Sequence, residues 1–162
     1  LQGQANEYVF KPDNSKLSEL NWAIKGAGIV QMGFEWHPLS NLTIYSQVWR
    51  SVDRVSKNVM DDYDWLKEGQ SHWSDWSHHD DTRLQYAYQL SIGASLWVWH
   101  SDYALLGLTA GYQQNGLHFK SYGGDYDYDN HKYIGHFNDD QLVIGYQQGY
   151  KLPYMGLQLH FF

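Results

Sequence analysis

The sequence predicts an all-β chain, an antiparallel β-barrel of the outer-membrane type, on three observations. Apolar residues alternate with polar or small ones over long stretches. The connections between those stretches are short and long in turn. Tyr and Trp are abundant, 14 and 8 among 162 residues, as suits a chain with two membrane–water boundaries where an amphipathic ring keeps one end wet. Low mean hydropathy does not argue against a barrel, because alternation dilutes it. A run of about 18 apolar residues, which a spanning helix needs, is absent. Composition alone also allows an aromatic-rich soluble β-protein, so the length of the alternating stretches has to decide.

The first stretch runs from Trp22 to Trp36, with Trp22, Ile24, Val30, Met32 and Phe34 on the even phase. A second covers Leu42–Trp49. The third is the clearest, placing Leu84, Tyr86, Tyr88, Leu90, Ile92, Leu96 and Val98 on one side and Arg83, Gln85, Gln89, Ser91 and Ser95 on the other. A fourth covers Ala104–Gln113. The fifth starts at Leu142 and slips phase near Pro153, predicting a bulge or bend before Met155, Leu157, Leu159 and Phe161. Strands of soluble proteins average about 5–6 residues, whereas a membrane-crossing strand needs roughly 9–11. We therefore expect Trp22, Ile24, Val30, Met32, Leu84, Leu90, Ile92, Leu96, Leu106 and Leu108 to face lipid. His37–Asn41 and Trp99–Tyr103 are tight turns, and residues 52–82 and 122–140 are long polar loops on the extracellular side. The alternating C-terminal stretch ending in Phe162 is similar to the assembly signal of outer-membrane proteins.

Charge narrows the partners. Lys and Arg number 11 against 18 Asp and Glu, a net −7, which leaves little cation density for phosphates and excludes nucleic acid. Basic peptides or proteins fit better. The chain has no cysteine, so disulfides and thiolate chemistry are excluded. The nine histidines show no metal-binding spacing, and no cofactor motif occurs.

Residues 58–81 hold the acids Asp61, Asp62, Asp64, Glu68, Asp75, Asp80 and Asp81 among Trp73, Trp76, His72 and His78. In extended chain Asp62 and Asp64 share a face, and two close carboxylates cannot both ionise freely, so one is held protonated and the pair can polarise a water. A solvated acidic loop is the plainer reading of the same spacing. Ser77 with His78 or His79 lacks an orienting third group, so no serine nucleophile is assigned.

Five stretches resemble the omptin family: Lys16–Trp22, Met60–Trp65, Gly107–Gln113, the Gly123-Gly124 loop, and Ile144–Tyr146 with Leu152–Leu157. The resemblance implies a ten-stranded outer-membrane barrel of the aspartyl-type proteases, which cleave peptides at basic residues with a water held between an Asp pair and an Asp–His pair on facing walls. By motif match Asp62 and Asp64 resemble the first pair and His79 resembles a His near the same groove; by their charge the loop acids Asp61, Glu68, Asp75, Asp80 and Asp81 are expected to bind a basic substrate. Departures accompany the match. The stretch begins near the top of the first strand and stops at the end of the sixth, so the strands that would carry the Asp–His pair are missing. The expectation is a barrel segment, a chain closed by partner chains or by self-association, or a re-used pattern in a smaller assembly. Asp129 and His131 have the spacing of an Asp–His pair but fall in another loop. At the family's lipopolysaccharide positions this chain has Gln114, Gly116 and Gly149. Two functions stay open: an omptin-like endopeptidase segment, or a non-catalytic or engineered barrel piece with a binding or structural role among outer-membrane lipid.

Overall fold

The computed structural model describes residues 1–52 and 58–161. Its eight strands are β1 (Gly3–Phe10), β2 (Lys16–Ile24), β3 (Ile29–Leu39), β4 (Leu42–Ser51), β5 (Asn58–Asp64), β6 (Asp75–His100), β7 (Ala104–Tyr128) and β8 (Tyr133–Phe161). Among the described residues there is no helix. Phe162 and the start of the first long loop, residues 53–57, lie outside the described residues.

The chain divides into two compact units, through both of which β6, β7 and β8 run. The first comprises Leu1–Gly28, Val52–Gln85 and His118–Gln147. In it β1 pairs with β2, β2 with β5 and β5 with β6, all antiparallel. The second comprises Ile29–Ser51, Tyr86–Leu117 and Gln148–Phe162, and in it β3 pairs with β4 and β4 with β6. β7 pairs with β6 and β8. Among the described residues no pairing joins β1 or β3 to β8, so the sheet is not closed.

The second unit carries the predicted alternation. Val30, Met32, Leu90, Ile92, Leu96 and Leu108 are exposed, whereas Ser91 and Ser95 are buried. On the covered face Tyr45 lies against Gly93, where a Cβ would meet the Tyr45 ring at 2.6 Å. The Tyr45 hydroxyl shares hydrogen bonds with Thr109 (2.7 Å) and Tyr154 (2.9 Å). β8 continues through Pro153, which a strand tolerates where the missing N–H faces no partner. Beyond it Tyr154 and Gln158 bond inward, Gln158 accepting from Ser95 (2.7 Å), while Met155, Leu157, Leu159 and Phe161 are exposed. The connections at Ser40–Asn41 and Ser101–Tyr103 are short, as predicted. The Ser101 hydroxyl takes the N–H of Ala104 at 3.1 Å.

The first unit corrects three expectations. The stretch Trp22–Trp36 is not one strand, because Lys25–Gly28 interrupts it and the Lys25 N–H turns to the buried Asn58 side chain (3.0 Å). Trp22, Ile24 and Leu84 do not face lipid; they are buried, and in the second unit Leu106 is half-buried. The reason is aromatic packing: Trp22 stacks on Phe119 at 5.3 Å and on Tyr146 at 5.1 Å, so its ring finds cover within the protein. Finally, β5, the start of β6, the end of β7 and the start of β8 fall within the two polar regions read as loops. The turn between β7 and β8 is only Asp129–Lys132, with Asp129, Asn130 and His131 all at positive φ. Asp and Asn tolerate that conformation better than most residues. Polarity is a poor guide here because a strand with no lipid-facing side has no apolar phase to show.

Leu90→Arg is expected to destabilise the chain refolded in lipid vesicles by about 2–4 kcal/mol if that face meets lipid near the midplane. Urea unfolding followed by Trp fluorescence measures it, and an unchanged midpoint would remove the lipid assignment of this face.

Candidate active site

Strand β5 sits between β2 and β6, and its register builds the site. Asp62 pairs with Leu20 and Ser77, Asp64 with Ser18 and Asp75, and Met60 with Trp22 and His79. Directly paired residues in a sheet share a face. Asp62, Asp64, Asp75, Ser77, Ser18 and His79 therefore lie on one side, above a floor in which Trp22, Met60 and His79 are fully buried.

The two central carboxyls are strained electrostatically. Burial pushes Asp62 up to about 6, with Asp64 and Glu7 adding repulsion and a long hydrogen bond from Ser18 (3.4 Å) opposing it. Asp64 is also raised, by burial and then by the charge of Asp75, against a hydrogen bond from Ser18. Asp75 is braced by the Ser74 hydroxyl (2.6 Å) and by the Asp129 N–H (3.2 Å). Ser74 itself is buried and receives the N–H of Leu66 (3.1 Å).

Near the pair stands Tyr128; burial raises its phenol, Ser77 opposes this, and the charges of Asp62, Asp64 and Asp75 add to it. Ser77 lies 3.0 Å from His79 Nε2, and His79 Nδ1 bonds to the Gly123 carbonyl. Burial holds the His79 imidazole below its usual range. The β7 backbone closes on this ring at Gly124. Its φ is +109°, and a Cβ there would lie 2.6 Å from His79 Nδ1. Only glycine fits both constraints.

The profile of the Omptin family covers residues 1–162. The chain belongs to the omptin family. It is 37% identical over 158 residues to the plasminogen activator of Yersinia pestis, covering 97% of this chain and 50% of that protein. Against the outer membrane protease OmpP of Escherichia coli strain K12 identity is 33% over 165 residues, covering 97% and 52%. The crystal structure of outer membrane protease OmpT from Escherichia coli superposes with a TM-score of 0.89 at 29% identity, covering 99% of this chain and 56% of that one. The chain thus spans about half the length of the curated relatives it matches. It is an outer-membrane β-barrel chain of bacterial type.

The omptin chain sorts its expected site residues by face. Asp62, Asp64 and Asp75 come together, and His79 shares their side but is buried opposite Met60, away from solvent. Asp61 is on the reverse side, where it bonds His78 Nδ1 (2.7 Å); His78 Nε2 lies 3.5 Å from Asp80, and Trp76 stacks on the His78 ring. A bulge explains the next acid. Three β6 residues, Asp80 to Thr82, span the step from Met60 to Asn58, and the Thr82 hydroxyl folds back to the His79 carbonyl (3.0 Å). Asp81 beyond it pairs with Arg83 (Nε at 2.8 Å), which lies over Tyr122. Glu68 is exposed in the connection between β5 and β6.

Asp129 and His131 do not form a pair with each other. Asp129 pairs with Lys67 and Lys132, and His131 with Asp127 (2.5 Å). Among the described residues no three His, Asp or Glu form a group that could hold a metal ion. Tyr128, Ser18 and Glu7 escaped the sequence reading. Only the two-residue spacing of Ser77 and His79 hinted at a shared face, and nothing in the sequence joins Tyr128 to them.

The Asp62 carboxyl yields a signed prediction. A carboxyl whose folded pKa lies above its unfolded value favours folding while protonated, and that stability is lost as pH rises from about 4 through about 6. Asp62→Asn should therefore stabilise the chain at pH 8 by about 1–2 kcal/mol, discounted for partial solvation, and have little effect at pH 4. Denaturant melts at the two pH values decide this. Gly124→Ala should destabilise at both, since it combines a disfavoured φ with a collision against His79.

Proposed function

We propose that this omptin chain supplies one wall of an outer-membrane endopeptidase site, in which Asp62 and Asp64 hold and polarise the water that attacks a peptide bond beside basic residues. The observation that carries the reading is the shared, partly desolvated position of the two carboxyls, with Asp62 raised to about 6. Burying two acids side by side costs stability, and a purely structural or binding barrel piece leaves that cost unexplained. The named relatives are a plasminogen activator and an outer membrane protease, which supports the same chemistry here.

In this reading the ionised member of the pair accepts a hydrogen bond from the water and orients a lone pair toward the carbonyl carbon. The water's proton passes to a histidine on a facing wall, as the family resemblance implies. Asp75, next to the pair, and the acids of the surrounding surface draw Arg and Lys side chains toward the site. Asp61, Asp80 and Asp81, on the reverse side, contribute long-range attraction rather than contact. The strands around the site project on the extracellular side. The unpaired edges of β1, β3 and β8 are satisfied by further strands or by a second copy of the chain, because open edges are not tolerated in lipid. The lipid partner is the outer-membrane bilayer. Lipopolysaccharide contact through Gln114, Gly116 and Gly149 would be made without charge, and Gln114 already donates to Tyr88 (3.0 Å).

Turnover of an Arg-Arg peptide by the assembled protein in detergent tests the reading. The kcat/KM profile should show an acid limb near pH 6, set by the coupled pair rather than by one group. Asp62→Asn should lower kcat/KM by about 10²-fold or more. Unchanged cleavage in that variant would reject Asp62 as a working acid.

A further inference from the structure

The hairpin of β7 and β8 carries one histidine set between two carboxylates. Phe137 turns toward His79, so its neighbour His136 points to the opposite side of the sheet. There its Nδ1 lies 2.8 Å from Asp125 on β7, and its Nε2 lies 2.8 Å from Asp139 farther along β8. A neutral imidazole has one N–H and one bare nitrogen. It can donate to one carboxylate only, and it must turn a lone pair on the other. An imidazolium donates to both. The bracket therefore fits the cation, and the hydrogen bonds raise the His136 pKa, Asp125 first and Asp139 second, against a small opposing effect of desolvation. Among the described residues no three His, Asp or Glu form a group that could hold a metal ion, so the proton is the ligand that this bracket suits.

We propose that His136 is a proton-operated clamp: protonated, it ties β7 to β8 through Asp125 and Asp139, and on losing the proton it lets one carboxylate go and loosens the hairpin. The clamp does not depend on the peptidase reading.

The other side of the same hairpin makes the clamp consequential. The Gly123 carbonyl accepts from His79 Nδ1, the Gly124 backbone closes on that ring, Phe137 stacks on it at 6.0 Å, and Tyr126 lies 4.8 Å from Phe137. His79 is fully buried beneath them. Losing the proton removes the attraction and leaves Asp125 and Asp139 as two anions at the edges of one neutral ring. The titratable groups acting on His136 are these two acids. Asp127, two residues along β7, is engaged by His131 (2.5 Å), and solvent covers the rest of the His136 side chain, which is 53% exposed. The folded value is raised, so the contribution of the clamp is fully present below about pH 6.5 and is lost as pH rises through the folded value.

Nuclear magnetic resonance on the chain refolded in detergent micelles tests this without turnover. In ¹⁵N spectra His136 should titrate above the ordinary histidine value, and Asp125→Asn and Asp139→Asn should each bring it down. Amide protection of Gly123–Tyr128 and Tyr133–Phe137, corrected for the intrinsic pH dependence of exchange, should fall on raising the pH from about 6 to about 8.5. The expected fall is about two- to fivefold, the size that an exposed ion pair supports, and Leu90–Leu96 should not share it. His136→Gln, a surface substitution, should remove the step. A His136 midpoint at or below the ordinary value would overturn the clamp, and this measurement needs no variant to fold. Hairpin protection that is flat across this range, or that keeps its step in His136→Gln, would overturn it as well. Because neither readout involves a peptide, the clamp and the peptidase reading fail separately.

Discussion

Every feature of the site depends on one constraint, the period-two geometry of β5 held in register between β2 and β6. A strand hands successive side chains to opposite faces, and a shift of one residue would exchange them all. Because Asp62 faces Ser77 and Asp64 faces Asp75, the acids collect on one side with two hydroxyls and a phenol. Because Asp61 is one residue before Asp62, it is delivered to the other side, to His78. The acids that flank the pair in the chain are thereby divided into two environments with different chemistry.

Burial then converts that geometry into electrostatics. The floor beneath the pair is made of large apolar or neutral groups: Trp22 between Phe119 and Tyr146, Met60, and the His79 ring against Phe137. Such a floor takes water away from the carboxyls on one side and supplies no positive charge in return. Both acids respond by holding protons more tightly. By contrast, Asp129 and Asp81 have cationic partners beside them, Lys67 and Arg83. The chain thus has compensated acids at its edges and uncompensated ones at the centre, which is the arrangement expected where charge does work.

The two units divide solvent environments in the same manner. In the second, exposed Leu, Ile, Val and Met alternate with covered Ser, Gly and Tyr, a pattern suited to lipid on one side. In the first, covered residues are as often polar as apolar, and Asn58, Ser74, Ser77, Thr82 and Ser121 are all buried with hydrogen-bonding roles. There the strands are held by satisfied polar groups and aromatic stacks rather than by an apolar face.

Alternation made the membrane part of the fold legible in the sequence: the strands around Leu42–Trp49, Leu84–Val98 and Ala104–Gln113, the tight turns, and the outward phase of Leu90, Ile92 and Leu96. Lipid imposes a repeating demand, and a repeating demand leaves a repeating trace. Met60–Trp65 was legible too, since the motif itself places Asp62 and Asp64 two apart. Beyond the apolar phase the trace ended. The parts of β5 to β8 in the first unit read as loops, Trp22 and Leu84 read as lipid-facing, and five further acids read as one substrate-binding set. Tertiary structure decided those matters, because they depend on pairing between segments far apart in the chain. Ser18 and Ser77 meet the acids only through register, the bulge after His79 moves Asp80 and Asp81 away from them, and Tyr128 reaches them from another strand. Local sequence can state which face a residue takes; only the fold determines what waits on that face.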